Sequence, residues 1–154
     1  MSNGAGAEDG FTLIEMVGVL AIIAILAAIL LPRVPRETSR LQLEAYAIEA
    51  AALLKADRTA AVRSHAQVTT GIDASSRSVH SGSTGRVVRI PDDVTFDALL
   101  PQRCNERPAF STISFFATGM SCGGAIALTR LGAGYEIRVN WLTGGIEIAP
   151  RGTL

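Results

Sequence analysis

Hydrophobic and polar positions divide the chain into three stretches of different character. Residues 1–10, MSNGAGAEDG, are small, polar and flexible, the composition of an unfolded tail. From Met16 to Leu31 there are sixteen residues without a charge, MVGVLAIIAILAAILL, and with Phe11–Glu15 the apolar stretch reaches 21 residues before Pro32. As one helix it would be roughly 30 Å long, which predicts a membrane crossing over residues 11–31. A secretory signal peptide is the rival reading. It wants a basic start and a small-residue cleavage site after the apolar run, whereas here Glu8 and Asp9 come before it and LLPRVPRE at its end.

Pro32 and Pro35 predict a kink or short break near residues 31–36, because proline removes a helical hydrogen bond and clashes with the preceding turn. From Arg36 to Arg63 the chain is rich in helix formers, with eight alanines in 45–61. Two apolar series recur at helical spacing, Leu41, Ala45, Ile48, Ala52 and Leu43, Ala47, Ala50, Leu54, with Arg40, Glu44, Glu49, Lys55, Asp57 and Arg58 among the charged residues between them. The spacing is not a sustained heptad. One long helix is expected, its first half in the membrane and its second half, to about residue 64, lying on a globular domain.

Beyond residue 64 the pattern changes to strands and turns. Strands are expected at 67–73, 86–90, 94–96, 112–118 and 125–130. Ser75–Ser78 and Ser81–Gly85 read as loops, and Leu99–Ala109, with two prolines, as another. Tyr135, Ile137, Val139 and Trp141 alternate with Glu136, Arg138 and Asn140, the period of a half-buried strand, and Thr143-Gly144-Gly145 turns into Ile146–Ile148. The fold class expected is α+β, with an antiparallel sheet domain over 65–154 packed on the second half of the helix.

Composition narrows the chemistry. Lys+Arg and Asp+Glu are both 14, so net charge suggests neither nucleic acid nor an acidic surface as partner. There is no G-x-S-x-G, phosphate-binding loop or H-E-x-x-H pattern, and His65 and His80 stand alone in sequence, so an enzyme is not expected. Asp92, Asp93 and Asp97 do not form the Asp-rich loop that calcium would need, and no metal or cofactor is expected. The odd residue is Glu15, a carboxylate near the start of an apolar run, where an ionised group costs several kcal/mol; it either stays hydrated near the interface or has a partner cation supplied when the chain assembles.

Gly10-Phe11-Thr12-Leu13-Ile14-Glu15, followed by the apolar run and Pro32, resembles the N-terminal signal of type IV pilins and type II secretion pseudopilins. The resemblance implies a leader of residues 1–10, cleavage between Gly10 and Phe11 by a prepilin peptidase, and methylation of the new Phe11 amine. It also implies that Glu15 meets the N-terminal ammonium of a neighbouring subunit during assembly. Pro32 matches the place where these proteins carry a helix-breaking proline. Leaders of this kind usually have Lys or Arg before the glycine, where this chain has Ala7, Glu8 and Asp9. The resemblance places the C-terminal domain in the periplasm, although Arg33, Arg36 and Arg40 after the apolar run would alone favour a cytoplasmic one.

A second stretch, FFATGMSCGGAIALTRLGAGYEIRVNWLTGGIEI, looks like the C-terminal signature of the GspH/FimT group of minor pseudopilins. It implies a structural subunit of a type II secretion system, rooted in the inner membrane and built into a periplasmic pseudopilus. Its partners would be major and minor pseudopilins, the prepilin peptidase, the assembly platform, the lipid bilayer and, at a distance, secretin or exoprotein. A minor pilin of a type IV pilus is the nearest alternative, and a membrane-anchored periplasmic enzyme a remote one. In a periplasmic domain Cys104 and Cys122 suggest a disulfide, with two unpaired core thiols as the alternative.

Overall fold

The structure, a computed structural model, describes residues 10–30 and 38–152. Its contacts divide the chain into two compact units, Met1–Arg36 and Glu37–Leu154. Residues 1–9 of the expected leader, and both Pro32 and Pro35, lie outside the described residues.

In the first unit, helix α1 runs from Leu13 to Leu30, 18 residues or about 27 Å. Its large apolar side chains, from Leu13 and Ile14 to Ile25 and Leu26, are exposed all round the helix. The described helix falls short of the 21 residues expected from the pattern. Among the described residues, no helix is long and apolar enough to cross a membrane.

The second unit is built on helix α2, Arg40–Ser64. Its start is fixed by a capping box. The Ser39 hydroxyl accepts from the Gln42 amide at 3.2 Å, and the Ser39 amide donates to the Gln42 side chain at 2.9 Å. It ends at His65, in the left-handed conformation that closes many helices. Of the two apolar series expected on this helix, Leu43, Ala47, Ala50 and Leu54 are buried, while Leu41, Ala45, Ile48 and Ala52 are exposed.

Among the described residues ten strands follow: β1 (Val68–Asp73), β2 (Ser78–His80), β3 (Val87–Arg89), β4 (Thr95–Leu99), β5 (Arg103–Cys104), β6 (Arg107–Pro108), β7 (Thr112–Phe115), β8 (Gly124–Arg130), β9 (Ala133–Val139) and β10 (Ile146–Gly152). They form a four-stranded sheet ordered β3-β2-β1-β7, another ordered β10-β9-β8-β4, and the small hairpin β5-β6. Every pairing is antiparallel. Helix α2 touches strands of both larger sheets. The inward faces of those sheets supply Val79, Ile113 and Phe115 from one and Ile126, Leu128, Ile137 and Val139 from the other to a shared core with the helix. A helix stripe of alanines and leucines suits this position, because small residues let the backbone lie close to the strands.

Two strand expectations change. Ser78, read as loop, begins β2, a strand too short to show alternation. Leu99–Ala109, read as a loop for its prolines, instead holds the end of β4 and the β5-β6 hairpin. The hairpin turns at Asn105 and Glu106, with φ of 48° and 64°, the backbone that a two-residue turn between twisted strands requires.

A disulfide joins Cys104 of β5 to Cys122, just before β8, across a sequence separation of 18. It ties the hairpin to the second large sheet. Replacing Cys104 by serine is expected to lower stability by about 3 kcal/mol, the chain-entropy value for a loop of this size. Chemical denaturation of the full chain in detergent, with and without reductant, measures it. Wild type in reductant should match C104S.

Candidate processing and assembly site

Thr12 sits at the mouth of α1, and Gly10 and Phe11 lie outside the helix. The carboxylate of Glu15 accepts from the Thr12 amide at 3.0 Å and from the Thr12 hydroxyl at 2.9 Å, and the Glu15 amide donates back to the Thr12 hydroxyl at 3.4 Å. This is a Thr-x-x-Glu capping box, in which two backbone donors left over at the helix start are satisfied reciprocally. The pattern was legible in Thr12-Leu13-Ile14-Glu15, yet the sequence suggested for Glu15 only water at the membrane interface or a partner on another subunit. In the single chain the carboxylate already has a partner, on its own first turn.

The box has a geometric consequence. It starts the helix at Leu13 and leaves the Gly10–Phe11 bond in exposed, non-helical chain, with Phe11 83% accessible. A peptidase needs such a segment, since cleavage requires the backbone drawn out along an active site. A Cβ built on Gly10 meets nothing within 4 Å. The chain's own packing therefore does not demand glycine there, and any demand comes from whatever approaches this bond. Gly18 is open in the same way on the surface of α1.

The remaining expected chemistry is dispersed. Ser78 hydrogen-bonds His80 at 2.8 Å and Ser76 at 2.7 Å, but no carboxylate completes a relay among the hydrogen bonds recorded for these residues. Among the described residues, no group of three or more His, Cys, Asp or Glu side chains is placed to hold a metal ion. Asp92 pairs with Arg77. Asp93 accepts from the Thr38 amide at 2.6 Å and the Thr38 hydroxyl at 2.8 Å, and pairs with Arg130 at 2.9 Å. These groups hold its carboxyl below the usual range, the Thr38 amide most of all. Arg130 also donates to the Thr38 carbonyl at 2.7 Å, so one arginine and one aspartate clasp the residue at which the chain enters α2.

Two clusters that the sequence reading missed organise the rest of the domain. The first is Asp57, fully buried on the inner face of α2. Its carboxylate accepts from the hydroxyls of Thr70 (2.6 Å), Ser81 (2.6 Å) and Ser83 (2.5 Å) and from the amides of Gly82 and Ser83 (both 3.1 Å). Burial pushes this carboxyl up, but the combined hydrogen bonds from Ser81, Ser83 and Thr70 outweigh it and hold it below its ordinary value. The second is Arg58, which donates from Nε to the Gly119 carbonyl at 3.1 Å and from Nη2 to the Thr143 carbonyl at 3.0 Å. It joins the helix to the two glycine turns of the C-terminal signature.

These elements, a capped apolar helix behind an exposed Gly–Phe bond and a second helix on antiparallel sheets, have counterparts among known proteins. The model of the prokaryotic N-terminal methylation motif matches residues 7–31. The minor pseudopilin EpsH from the type II secretion system of Vibrio cholerae superposes with a TM-score of 0.55, at 12% identity over 73% of this chain and 96% of that one. The type IV minor pilin FimU of Pseudomonas aeruginosa gives 0.54, at 18% identity over 73% and 92%. The fold is pilin-like. No curated protein sequence matches the chain. The pilin-like fold accounts for the order of elements, a helix followed by antiparallel sheets. The methylation motif covers the site residues Gly10, Phe11 and Glu15.

Proposed function

We propose that this chain is a minor pseudopilin of a type II secretion system, rooted in the bacterial inner membrane by its N-terminal apolar segment and assembled into a periplasmic pseudopilus. The observation that carries the reading is the N-terminal arrangement. An exposed Gly10–Phe11 bond precedes a capped helix whose apolar surface is open on every side and has a single acidic residue, Glu15. Such a surface requires lipid or other helices around it. Removal of residues 1–10 would place a cationic amine on Phe11. In a neighbouring chain, that amine offers Glu15 a stronger partner than the Thr12 hydroxyl, because pairing offsets much of the cost of each charge in a low-dielectric surround. The carboxylate would pass from its own cap to the neighbour, which favours assembly and sets the axial register. The prepilin peptidase, the assembly platform and other pseudopilins are the partners this reading requires.

A type IV minor pilin is the second reading, supported by the likeness to FimU. The zero net charge does not favour a role in holding DNA.

The test is mass spectrometry of the N-terminal peptide of the chain made in a host with an intact secretion system. A peptide beginning at N-methylated Phe11 is expected. With Glu15→Leu the peptide should still be processed, while the chain is lost from sheared filaments and secretion falls at least ten-fold. A chain retaining residues 1–10, or cut after Leu31, would overturn the reading. Intact secretion with loss of surface pili would move it to the type IV pilus.

A further inference from the structure

The outer face of the second large sheet, turned away from α2, carries an open cleft of about 630 Å³. Strand register explains its shape. Leu99, Ala125, Arg138 and Glu147 stand opposite one another across four neighbouring strands, from β4 through β8 and β9 to β10. Their chain neighbours Ile126 and Ile137 point the other way, into the core. Ala125 is the small member of the row, so the sheet surface is low there, between Leu99 and Arg138. Gly123 and Gly124 extend the low floor. Trp141 stands beside them, its Cβ 3.2 Å from where a Cβ on Gly123 would lie. Leu99 and Trp141 are 78% and 63% exposed, so the cleft has two large apolar groups that the domain leaves in water.

The polar groups of the cleft select what would cover them. Arg138 donates from Nε to Glu136 at 2.8 Å, Glu147 faces Arg138 across the strands, and the charge of Arg151 acts on Glu136. Two acids and two bases balance, which favours neither a strongly anionic nor a strongly cationic ligand. Asn140 accepts from the Leu142 and Thr143 amides at 2.9 and 3.0 Å, which leaves its NH₂ group as a donor at the cleft. The floor strand β8 is paired with β4 on one side and β9 on the other, so an extended peptide laid in the cleft would find no backbone partner there. A neutral ligand with an apolar face and a rim of hydroxyls fits both sets of groups. A pyranose ring has that chemistry, since its C–H groups gather on its faces while its hydroxyls project around the edge.

We propose that this cleft binds a neutral oligosaccharide, with one pyranose ring lying on Trp141 and hydrogen-bonding Arg138, Asn140 and Glu147. Binding there needs only the Glu37–Leu154 unit, so it stands or falls apart from the filament reading.

Trp141 is the single tryptophan of the chain, so its fluorescence reports the cleft directly. The test titrates the full chain, in a detergent without a sugar headgroup, with cellotetraose and with chitotetraose. A saturable change in Trp141 emission is expected with at least one of them, and a preference for chitotetraose over cellotetraose would mark an acetamido sugar rather than a plain glucan as the ligand. Glu147→Ala, at an exposed site that should leave melting unchanged, should weaken that binding by roughly ten-fold or more, the loss of a hydrogen bond to a charged group. Ala125→Leu, which raises the floor, should abolish it. No saturable change with either sugar, binding indifferent to both substitutions, or equal binding of tetralysine or tetraglutamate would overturn the proposal.

Discussion

Asp57→Asn should unfold the domain more readily than any other single-atom change in it. The side chain is fully buried and accepts five hydrogen bonds, two of them from the backbone amides of Gly82 and Ser83. An amide side chain of the same shape has only one oxygen and brings two donors into a site lined with donors. At least one backbone amide and one hydroxyl lose their acceptor. With each buried unsatisfied group costing about 1–3 kcal/mol, a loss on the order of 3 kcal/mol is expected. Urea denaturation of full-length wild type and D57N in detergent measures it. The pH dependence provides an independent check. The folded-state carboxyl is depressed, so its contribution is fully present above the unfolded value, about 3.9, and is lost as pH falls through the lower folded value. Wild type should lose stability in that acid window, and D57N should show a shallower acid slope there. An equal slope in both proteins would mean that Asp57 is not the group responsible.

Gly144→Val should be comparably damaging, for a steric reason. Gly144 has φ of 63°, and a Cβ built there lies 2.0 Å from the Gly119 carbonyl oxygen and 2.8 Å from Arg58 Nε. The side chain can neither take this backbone cheaply nor fit between the two turns, and the displaced Gly119 carbonyl would leave Arg58 without one of its acceptors. Left-handed strain and overpacking together cost about 3 kcal/mol or more, a fall in melting temperature of roughly 10 °C for a domain of this size. Gly145→Ala is the control, since its φ is not in the left-handed region and the nearest contact is a rotatable Thr143 hydroxyl at 3.1 Å. Thermal unfolding in which the two variants melt alike would refute the explanation.

The amphipathic pattern made the α+β layout legible. It marked helix α2 and strand β8 closely, because these elements are long and bury one clear face, whereas β9 runs over Ala133–Val139 where Tyr135–Trp141 was expected and β10 continues to Gly152, past the expected end at Ile148. It failed where an element is short or where one residue defies its type. Asp57 occupies the next place in the buried series Leu43, Ala47, Ala50, Leu54, followed by Ala61. The periodicity therefore pointed at it, but a carboxylate reads as surface until its donors are known, and those donors lie in a serine-rich loop that looked like solvent-facing chain. The series Leu41, Ala45, Ile48, Ala52 shows the converse ambiguity, since spacing alone does not say which of two apolar faces the domain's own core will cover. At the N-terminus the Gly-Phe-Thr-Leu-x-Glu motif marked the candidate site, whereas the bonding of Glu15 inside one chain emerged only with the helix start.

The clasp on Thr38 bears on how this domain would withstand tension. A pull applied to Thr38 from its N-terminal side acts before the first turn of α2. There, three hydrogen bonds to Thr38 resist together, two made to Asp93 and one accepted from Arg130, and the Arg130–Asp93 pair braces the two residues that hold it. Contacts loaded side by side must break at once, whereas the hydrogen bonds of a bare helix end can be peeled away one after another. Force would thus pass directly into the end of β8 and the segment preceding β4, sparing the capping box of α2 from unzipping first.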